Sequence, residues 1–404
     1  MNVTIPKLWT KDFILISLNN FFTHIVFYIL MVTIALYVTK EFNASNSMTG
    51  LSIGIFVIAS LVSRIFAGKY MDIIGRKRAM IMALIIFVVA MFLHLQAHHF
   101  AFFMLIRVIH GASHGFITTI AGAIAADLIP NERRGEGTGY YTTSMNLAMA
   151  IGPFIGLYVS EYASFQIILL IGTTVAVIDL IISLFLKVPE ANTNIRDTKL
   201  TKWKWKDFIE PGALPISTIL LIMTLGYASL LSYLSLYARE IEFVEVSSYF
   251  FMVYAAALLL SRPFTGKWFD KYGENKVTYP LIICLALGFI LLSQAQNTFV
   301  FLFSGALIGI GYGTVLSNFQ AIAIQQSPSD RKALATSTFF MYLDLANGIG
   351  PYLIGILIGY MSLQHLYLFV ALWMFLCMGF YYFVHGRKTS VNSLMEEKIV
   401  KQSG

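Results

Sequence analysis

Long apolar runs, separated by short polar or charged segments, dominate this chain. A helix of about twenty apolar residues spans the ~30 Å hydrocarbon core of a bilayer, and it satisfies its own backbone polar groups there. Twelve runs approach that length, and they cover residues 12–38, 48–69, 78–96, 101–127, 136–160, 164–187, 214–239, 247–268, 277–296, 298–326, 333–361 and 363–385. The pattern predicts an all-α membrane protein with twelve transmembrane helices.

The placement of basic residues supports that count. Cytoplasmic loops of membrane proteins carry an excess of Lys and Arg. Here nearly all basic residues fall in alternate connections and near the two ends of the chain, whereas the remaining connections contain only Lys40 and Arg239. We therefore expect a multi-pass protein of the cell membrane with both termini in the cytoplasm. Arg107 is the exception, because it lies inside a predicted helix.

Composition excludes several functional classes. The chain is 57% hydrophobic and 12% charged, which is far from the balance of a soluble domain. The net charge of +7 does not indicate nucleic-acid binding, because the basic residues lie in the predicted loops. Cys284 and Cys377 each lie in an apolar run, with no Cys or His nearby at metal-ligand spacing. No metal, cofactor or nucleic-acid partner is expected, and the absence of nucleotide-binding and hydrolase motifs argues against an enzyme.

An internal repeat divides the chain. The segment SRIFAGKYMDIIG at 63–75 aligns with SRPFTGKWFDKYG at 261–273, with an offset of 198 residues (261 − 63) and seven identical positions of thirteen. The same offset pairs Gly111 with Gly309, Gly115 with Gly313, Pro130 with Pro328, Arg133 with Arg331, Gly152 with Gly350 and Pro153 with Pro351. Transporters are often built from duplicated halves. We predict two pseudo-symmetric six-helix halves, 1–187 and 214–385, a cytoplasmic linker, 188–213, and a cytoplasmic tail, 386–404.

The halves differ at polar positions inside the predicted membrane. Such residues are costly in a bilayer and usually serve a pathway or a partner. At the common offset, the differences are Arg107 against Gly305, His110 against Ile308, His114 against Tyr312 and Asn146 against Asp344. These positions are the first candidates for function.

A charged motif follows the second apolar run. It consists of Gly, three residues, Asp, two residues and then Gly-Arg-Lys, at Gly68, Asp72, Gly75, Arg76 and Lys77. This segment resembles the motif between helices 2 and 3 of the major facilitator superfamily, and the resemblance extends over nearly the whole chain. The chain departs from the motif at Ile73, where the family usually has Arg or Lys.

The resemblance implies a conformational lock on the cytoplasmic side. Asp72 would face the end of helix 11, and Arg76 would pair with Asp127 at the end of helix 4. Charged groups of this kind can hold helix ends in one conformation. For the second-half copy, which contains Asp270, gating and a plain scaffold role remain equally open.

Helix 5 carries the spacing of small residues that the resemblance associates with proton-coupled exporters. The positions are Gly139, Ala148, Gly152, Pro153 and Gly156. Small side chains allow close helix packing, and a proline removes one backbone hydrogen bond. The pattern favours export. Ordinary packing in a transmembrane helix is the alternative.

Four ionisable side chains are candidates for proton coupling in the middle helices. Arg107, His110 and His114 share one face of helix 4 because they are spaced by three or four residues. Asp344 is expected near the bilayer midplane, about 17 Å beyond the basic pair at 331–332 at helical rise. A fixed ion pair for Arg107, neutral hydrogen-bonding histidines and a structural role for Asp344 are the alternatives.

The remaining candidates line the expected central cavity. Asn20, His24 and Tyr28 recur every four residues on helix 1, and His24 is a further candidate for proton coupling. In the family that the chain resembles, helices 1, 4, 7 and 10 line the cavity, and the other lining candidates are Asn146, Tyr227, Tyr233, Asn318, Gln320 and Asn347. Asp179 on helix 6 is expected to reach the cytoplasmic interface.

These features together predict a proton-coupled exporter of a drug or a polar metabolite that works by alternating access. The alternative is a proton-coupled nutrient importer. The mixture of His, Arg and Asp in the membrane suits a polar zwitterion, such as an amino-acid-like metabolite or an opine-type metallophore. The expected partners are the substrate, protons and the lipid bilayer, and a monomer is expected.

Overall fold

The computed structural model of the chain describes residues 7–130, 133–188, 209–328 and 331–387, with no strand among them. Gly68 and the side chains of Asp72 and Asp270 also lie outside the described part of the chain. Within the described ranges, twelve helices are long and apolar enough to cross a membrane. They are α1 (Lys11–Phe42), α2 (Asn46–Ile74), α3 (Arg76–His94), α4 (Phe100–Leu128), α5 (Arg134–Tyr162), α6 (Phe165–Leu184), α7 (Leu214–Glu240), α8 (Val244–Tyr272), α9 (Glu274–Ser293), α10 (Thr298–Gln325), α11 (Lys332–Ile358) and α12 (Leu363–Tyr381).

The helices confirm the predicted all-α class and the helix count. Several extend further than the apolar runs, because a helix can continue into the polar interface after its hydrophobic stretch has ended. α1 passes Lys40 and Glu41 and ends at Phe42, followed by the cap residue Asn43, which has a left-handed backbone with φ of 48°. α8 likewise continues past Lys271 to Tyr272.

Polar side chains cap the first turns of several helices. The side chain of Thr10 accepts a hydrogen bond from the backbone N–H of Phe13 at the start of α1. Asn297 does the same for Val300 at 2.9 Å, so a new helix begins where a hydropathy scan could merge two runs.

The described helices divide into two compact units. The first contains α1–α6 together with residues 232–238 of α7, and the second contains the rest of α7 and α8–α12. Most of the predicted linker, 188–213, and nearly all of the predicted tail, 386–404, lie outside the described residues. The domain boundaries therefore stay a prediction.

The internal repeat is visible in the helix boundaries. α2 begins at Asn46 and α8 at Val244, and α6 begins at Phe165 and α12 at Leu363, so both pairs are separated by the same 198 residues (244 − 46 and 363 − 165). The turns after α2 and α8 also match, because Gly75 and Gly273 have φ of 93° and 84°. Glycine adopts such positive φ without a steric penalty.

Helix contacts inside each unit repeat with the same register. A side chain at Gly111 would collide with the backbone of Phe56, and one at Gly309 would collide with the backbone of Tyr254, 198 residues later. The first helix of each unit is shifted by two further residues. A Cβ on Gly152 would lie 2.7 Å from Cβ of Tyr28, and one on Gly350 would lie 2.7 Å from Cβ of Ala228, which gives an offset of 200 (228 − 28).

Candidate functional site

The turn between α2 and α3 contains the ion pair that the resemblance implies. Arg76 Nη1 contacts Asp127 Oδ2, joining the start of α3 to the end of α4. Ile73, at the position where the family usually carries a basic residue, is 70% exposed. The side chains of Asp72 and Asp270 are not among those described, so their part in gating stays a prediction.

The small residues of α5 face α1. A Cβ on Gly152 or Gly156 would press on α1 at Tyr28 or Ile29, so these two glycines permit the close approach of the helices. A Cβ on Gly139 would have no heavy atom within 4 Å. α5 runs as one helix from Arg134 to Tyr162 with Pro153 inside it.

Four histidine rings from three helices form a buried series in the first unit, which we call the histidine cluster: His94 on α3, His110 and His114 on α4, and His24 on α1. The ring centroids of His94 and His110 are 5.4 Å apart, and those of His114 and His24 are also 5.4 Å apart. All four residues are at most 7% exposed. Because His110 and His114 are one helical turn apart, they connect the two close pairs.

The hydrogen bonds of the cluster leave several ring nitrogens available. Nδ1 of His94 donates to the carbonyl of Ala90, and Nδ1 of His24 donates to the carbonyl of Asn20. Within the described residues, neither nitrogen of His110 has a hydrogen-bond partner. A buried polar group without a partner is costly, so the two ring nitrogens of His110 call for a functional explanation.

Arg107 lies beside the histidine cluster and is 2% exposed. Its Nε donates to the backbone carbonyl of Ser52 at 3.0 Å, and its guanidinium carbon lies 4.4 Å from the centroid of the Phe56 ring. No carboxylate among the described residues of the first unit forms an ion pair with it. Since a guanidinium stays charged at physiological pH, the first unit contains a fixed positive charge next to titratable rings.

The second unit has a hydrogen-bonded cluster of hydroxyl side chains, which we call the tyrosine cluster: Thr224, Tyr227, Tyr254 and Tyr312. The rings of Tyr227 and Tyr312 stack with centroids 3.5 Å apart. The Tyr227 hydroxyl donates to Tyr254 at 3.1 Å, and the hydroxyls of Thr224 and Tyr312 share a hydrogen bond of 2.9 Å. Tyr227, a predicted lining residue, is only 2% exposed.

The four residues of the tyrosine cluster have equivalents in the first unit, and two of those equivalents belong to the histidine cluster. With the offset of 200 for the first helix of each unit and 198 for the others, the pairs are His24 and Thr224, Phe27 and Tyr227, Phe56 and Tyr254, and His114 and Tyr312. The first unit thus carries imidazoles at 24 and 114 where the second carries uncharged hydroxyls, whereas His94 and His110 correspond to Leu292 and Ile308. The neighbouring position differs too. Gly305 is equivalent to Arg107, and the Phe250 ring lies against it.

The other predicted lining residues have varied environments. The side-chain amide of Asn20 donates to Ser144 Oγ at 2.8 Å and so joins α1 to α5. Asn146 and Asn318 are buried, and each has a side-chain Nδ2 with no hydrogen-bond partner in the described part of the chain. Among the remaining predicted residues, the half-buried ones are Tyr28, Gln320, Asp344 and Asn347. Tyr233 is fully buried.

Two features of the site were missed by sequence reasoning. His94 completes the histidine cluster from α3, and nothing in the sequence places it beside His110. The second concerns Asp179, for which the prediction was wrong: its carboxyl group is 0% exposed and lies between α6 and α1. The signal was the recurrence of polar residues at 19 and 23 and at 179 and 183, one helical turn apart.

Comparison with known proteins agrees with this architecture. The chain is 24% identical over 371 residues to an uncharacterised MFS-type transporter of Methanocaldococcus jannaschii, covering 90% of this chain and 95% of that protein. It is 28% identical over 207 residues to the quinolone resistance protein NorA of Staphylococcus aureus, covering 50% of this chain and 52% of NorA. A mutant of the nucleoside transporter NupG has a similar fold, with a TM-score of 0.72, 14% identity and coverage of 91% of this chain and 99% of that one.

The family model of the Major Facilitator Superfamily matches residues 16–351 and, in a second match, residues 244–402. These ranges include both units. Together with twelve membrane-length helices in a duplicated arrangement, the match shows a multi-pass membrane transporter and not an enzyme. The chain belongs to the major facilitator superfamily.

Proposed function

We propose that this protein is a proton-coupled exporter that moves a small organic molecule out of the cytoplasm by alternating access. The observation that carries the proposal is the difference between the two clusters. A duplicated scaffold has imidazoles at His24 and His114 where the other unit has the hydroxyls of Thr224 and Tyr312, and it has the buried guanidinium of Arg107 where the other unit has Gly305. Scaffold packing alone gives no reason for this asymmetry, whereas proton coupling requires ionisable groups in at least one unit.

The direction of transport is inferred from α5 and from a relative. Gly139, Gly152, Pro153 and Gly156 carry the exporter-type spacing on α5. The match to NorA, a quinolone resistance protein, supports the same direction. The likeness to NupG shows only the shared fold and does not favour uptake.

The coupling groups are Arg107, Asp344 and the histidines at 24, 110 and 114. A carboxyl group such as Asp344 can alternate between holding a proton and facing a cationic substrate group. Arg107 does not release its proton at physiological pH, so it acts through its charge on the imidazoles beside it. The cavity side chains are then Asn20, Tyr28, Asn146, Tyr227, Asn318 and Asn347.

The substrate class follows from the same groups. A guanidinium and a carboxyl group in one transport pathway suit a molecule with both charges, such as an amino-acid-like metabolite or an opine-type metallophore. The lock on the cytoplasmic side would consist of the Arg76–Asp127 pair with Asp72. We further propose a monomer in the cell membrane with both termini in the cytoplasm, as the positions of the basic residues indicate.

Transport in inverted membrane vesicles tests the proposal. Vesicles with an acid interior are loaded with a pH-sensitive dye, and a fluoroquinolone or a zwitterionic amino-acid conjugate is added outside. An exporter exchanges substrate for protons, so the dye should report alkalinisation inside only in vesicles that contain the protein. Substrate accumulation in right-side-out vesicles, driven by an acid exterior, would instead show a nutrient importer.

A further inference from the structure

A buried carboxyl group lies between α1 and α6. Asp179 is 0% exposed, Asn19 on α1 donates to its Oδ1 at 2.7 Å, and the Thr23 hydroxyl donates to its Oδ2 at 2.7 Å. The Asn19 amide also donates to Ser183 Oγ at 3.1 Å. We call this group of four residues, Asn19, Thr23, Asp179 and Ser183, the acid pocket. All four are at most 1% exposed.

No cation pairs with this carboxyl group in the described part of the first unit. Among the described residues, Tyr141 on α5 interacts electrostatically with it, and Arg64 on α2 acts on Tyr141. On α3, Lys77 instead donates to the carbonyl of Leu184, five residues beyond Asp179. A carboxylate that is fully buried and held only by neutral donors is expensive in a membrane protein, and binding a proton removes that cost.

The pocket can serve the carboxyl group in either protonation state. The Thr23 hydroxyl can donate to a carboxylate or accept from a carboxylic acid. The Oδ1 atom of Asn19 is buried and has no hydrogen-bond partner among the described residues. If the Asn19 amide turns over, that oxygen can accept the proton of a neutral Asp179, since the two ends of an amide have the same shape.

The equivalent positions of the second unit show that packing does not need an acid here. With the offset of 198, Asp179 corresponds to Cys377, and with the offset of 200, Asn19 and Thr23 correspond to Ile219 and Met223. These three residues are all buried, at 0%, 1% and 0% exposed. The same helix pair therefore packs with apolar side chains in one unit and holds a carboxyl group in the other.

We propose that Asp179 is a proton-binding site of the first unit, which is loaded and emptied as transport proceeds. Thr23 of the acid pocket precedes His24 of the histidine cluster on α1, and the two side chains meet different helices, α6 and α4. The role in transport rests on the proposed proton coupling, whereas the binding of a proton does not. A purified protein in lipid can therefore test the two separately.

Infrared spectroscopy tests proton binding directly. The protein in lipid is compared at neutral and alkaline pH, in H₂O and D₂O, for the carbonyl band of a protonated carboxylic acid. We expect a band at neutral pH that is lost in Asp179→Asn, retained in the half-buried control Asp12→Asn near the start of α1 and shifted in Thr23→Val, which removes one hydrogen bond. A band that is absent from the wild type, or unchanged in Asp179→Asn, overturns the proposal.

Proton release tests the role in transport. Asp179→Asn keeps the shape of the neutral acid, so it should still bind substrate but release fewer protons when substrate is added, as measured with a pH dye in detergent. Wild-type proton release in this variant overturns the role. If Asp179→Asn does not fold, the Thr23→Val variant tests the same role. A shifted carbonyl band and an altered pH profile of proton release in that variant would support the proposal, and wild-type values of both would contradict it. If the wild type shows the carbonyl band but no proton-driven transport, Asp179 still binds a proton and the proposed function is contradicted.

Discussion

The imidazole of His114 lies 5.4 Å from that of His24, at the positions where Tyr312 and Thr224 share a hydrogen bond in the second unit. The same pair of backbone positions therefore carries two imidazoles in one unit and two hydroxyl groups in the other. The hydrogen-bonded tyrosine cluster shows what the scaffold needs at these positions, and the imidazoles show what has been added to it. Exchange of side chains between the clusters therefore separates packing from function.

The double variant His24→Thr/His114→Tyr gives the first unit the side chains of the second. We expect it to fold, with a midpoint of thermal unfolding lowered by no more than about 2–4 °C, because a change of about 1 kcal/mol has that effect in a unit of this size. Transport driven by a proton gradient should be lost. Circular dichroism melting and vesicle transport measure the two properties.

The matched control for this swap is His365→Thr, because His365 is exposed and its ring shares a hydrogen bond with Ser362 at the start of α12. It should leave both melting and transport unchanged. If the double variant transports as the wild type does under the same proton gradient, the histidine cluster is a packing element.

Glycine positions of the repeat should be intolerant of a single methyl group. Gly111→Ala places Cβ against the backbone of Phe56, which cannot move as a side chain would. We expect destabilisation of about 1–3 kcal/mol, the usual cost of overpacking. Gly139→Ala, where a Cβ meets nothing within 4 Å, is the control and should melt with the wild type. Equal melting of both variants would show that α2 and α4 can separate at no cost.

Much of this architecture could be predicted from the sequence, and the reason is local. The apolar runs and the common register of Gly111 and Gly309 depend on length and spacing alone, so twelve helices and the repeat were predicted correctly. The face shared by His110 and His114 follows from helical periodicity.

Contacts between helices could not be predicted in the same way. Periodicity places residues on one face of a helix, but it does not say which neighbouring helix that face meets. His94 therefore remained hidden on α3. Asp179 lies near the end of α6, where a carboxyl group usually reaches water, and only the packing of α1 against α6 buries it.

The Arg76–Asp127 pair should control conformation more than stability. Its side chains are 16% and 41% exposed, and surface pairs of this kind contribute about 1 kcal/mol or less. Asp127→Asn is expected to lower the transport rate with little effect on melting, whereas the charge swap Arg76→Asp/Asp127→Arg should recover part of the rate. Failure of the swap to recover any activity would assign the pair to the scaffold.

The lock also predicts an asymmetry between the halves. Asp72→Asn should reduce transport while leaving expression and substrate binding largely intact, because it changes a conformational equilibrium and not the cavity. The second-half variant Asp270→Asn should have the smaller effect. Transport rates in vesicles, with substrate affinity measured in detergent, compare the two variants. Equal losses would mean that the symmetric scaffold, and not the first-half copy, carries the lock.

Arg107 and Asp344 should separate binding from coupling. Arg107→Ala removes a donor to the Ser52 carbonyl and strands it in a buried site, so we expect losses of both substrate affinity and transport. Asp344→Asn keeps the shape of the protonated acid, so gradient-driven export should disappear while substrate still binds. Proton release on addition of substrate, followed with a pH dye in detergent, should disappear in the same variant. Unchanged release in Asp344→Asn would transfer that proton to the histidine cluster or to the acid pocket, and unchanged export would leave Asp344 with a structural role only.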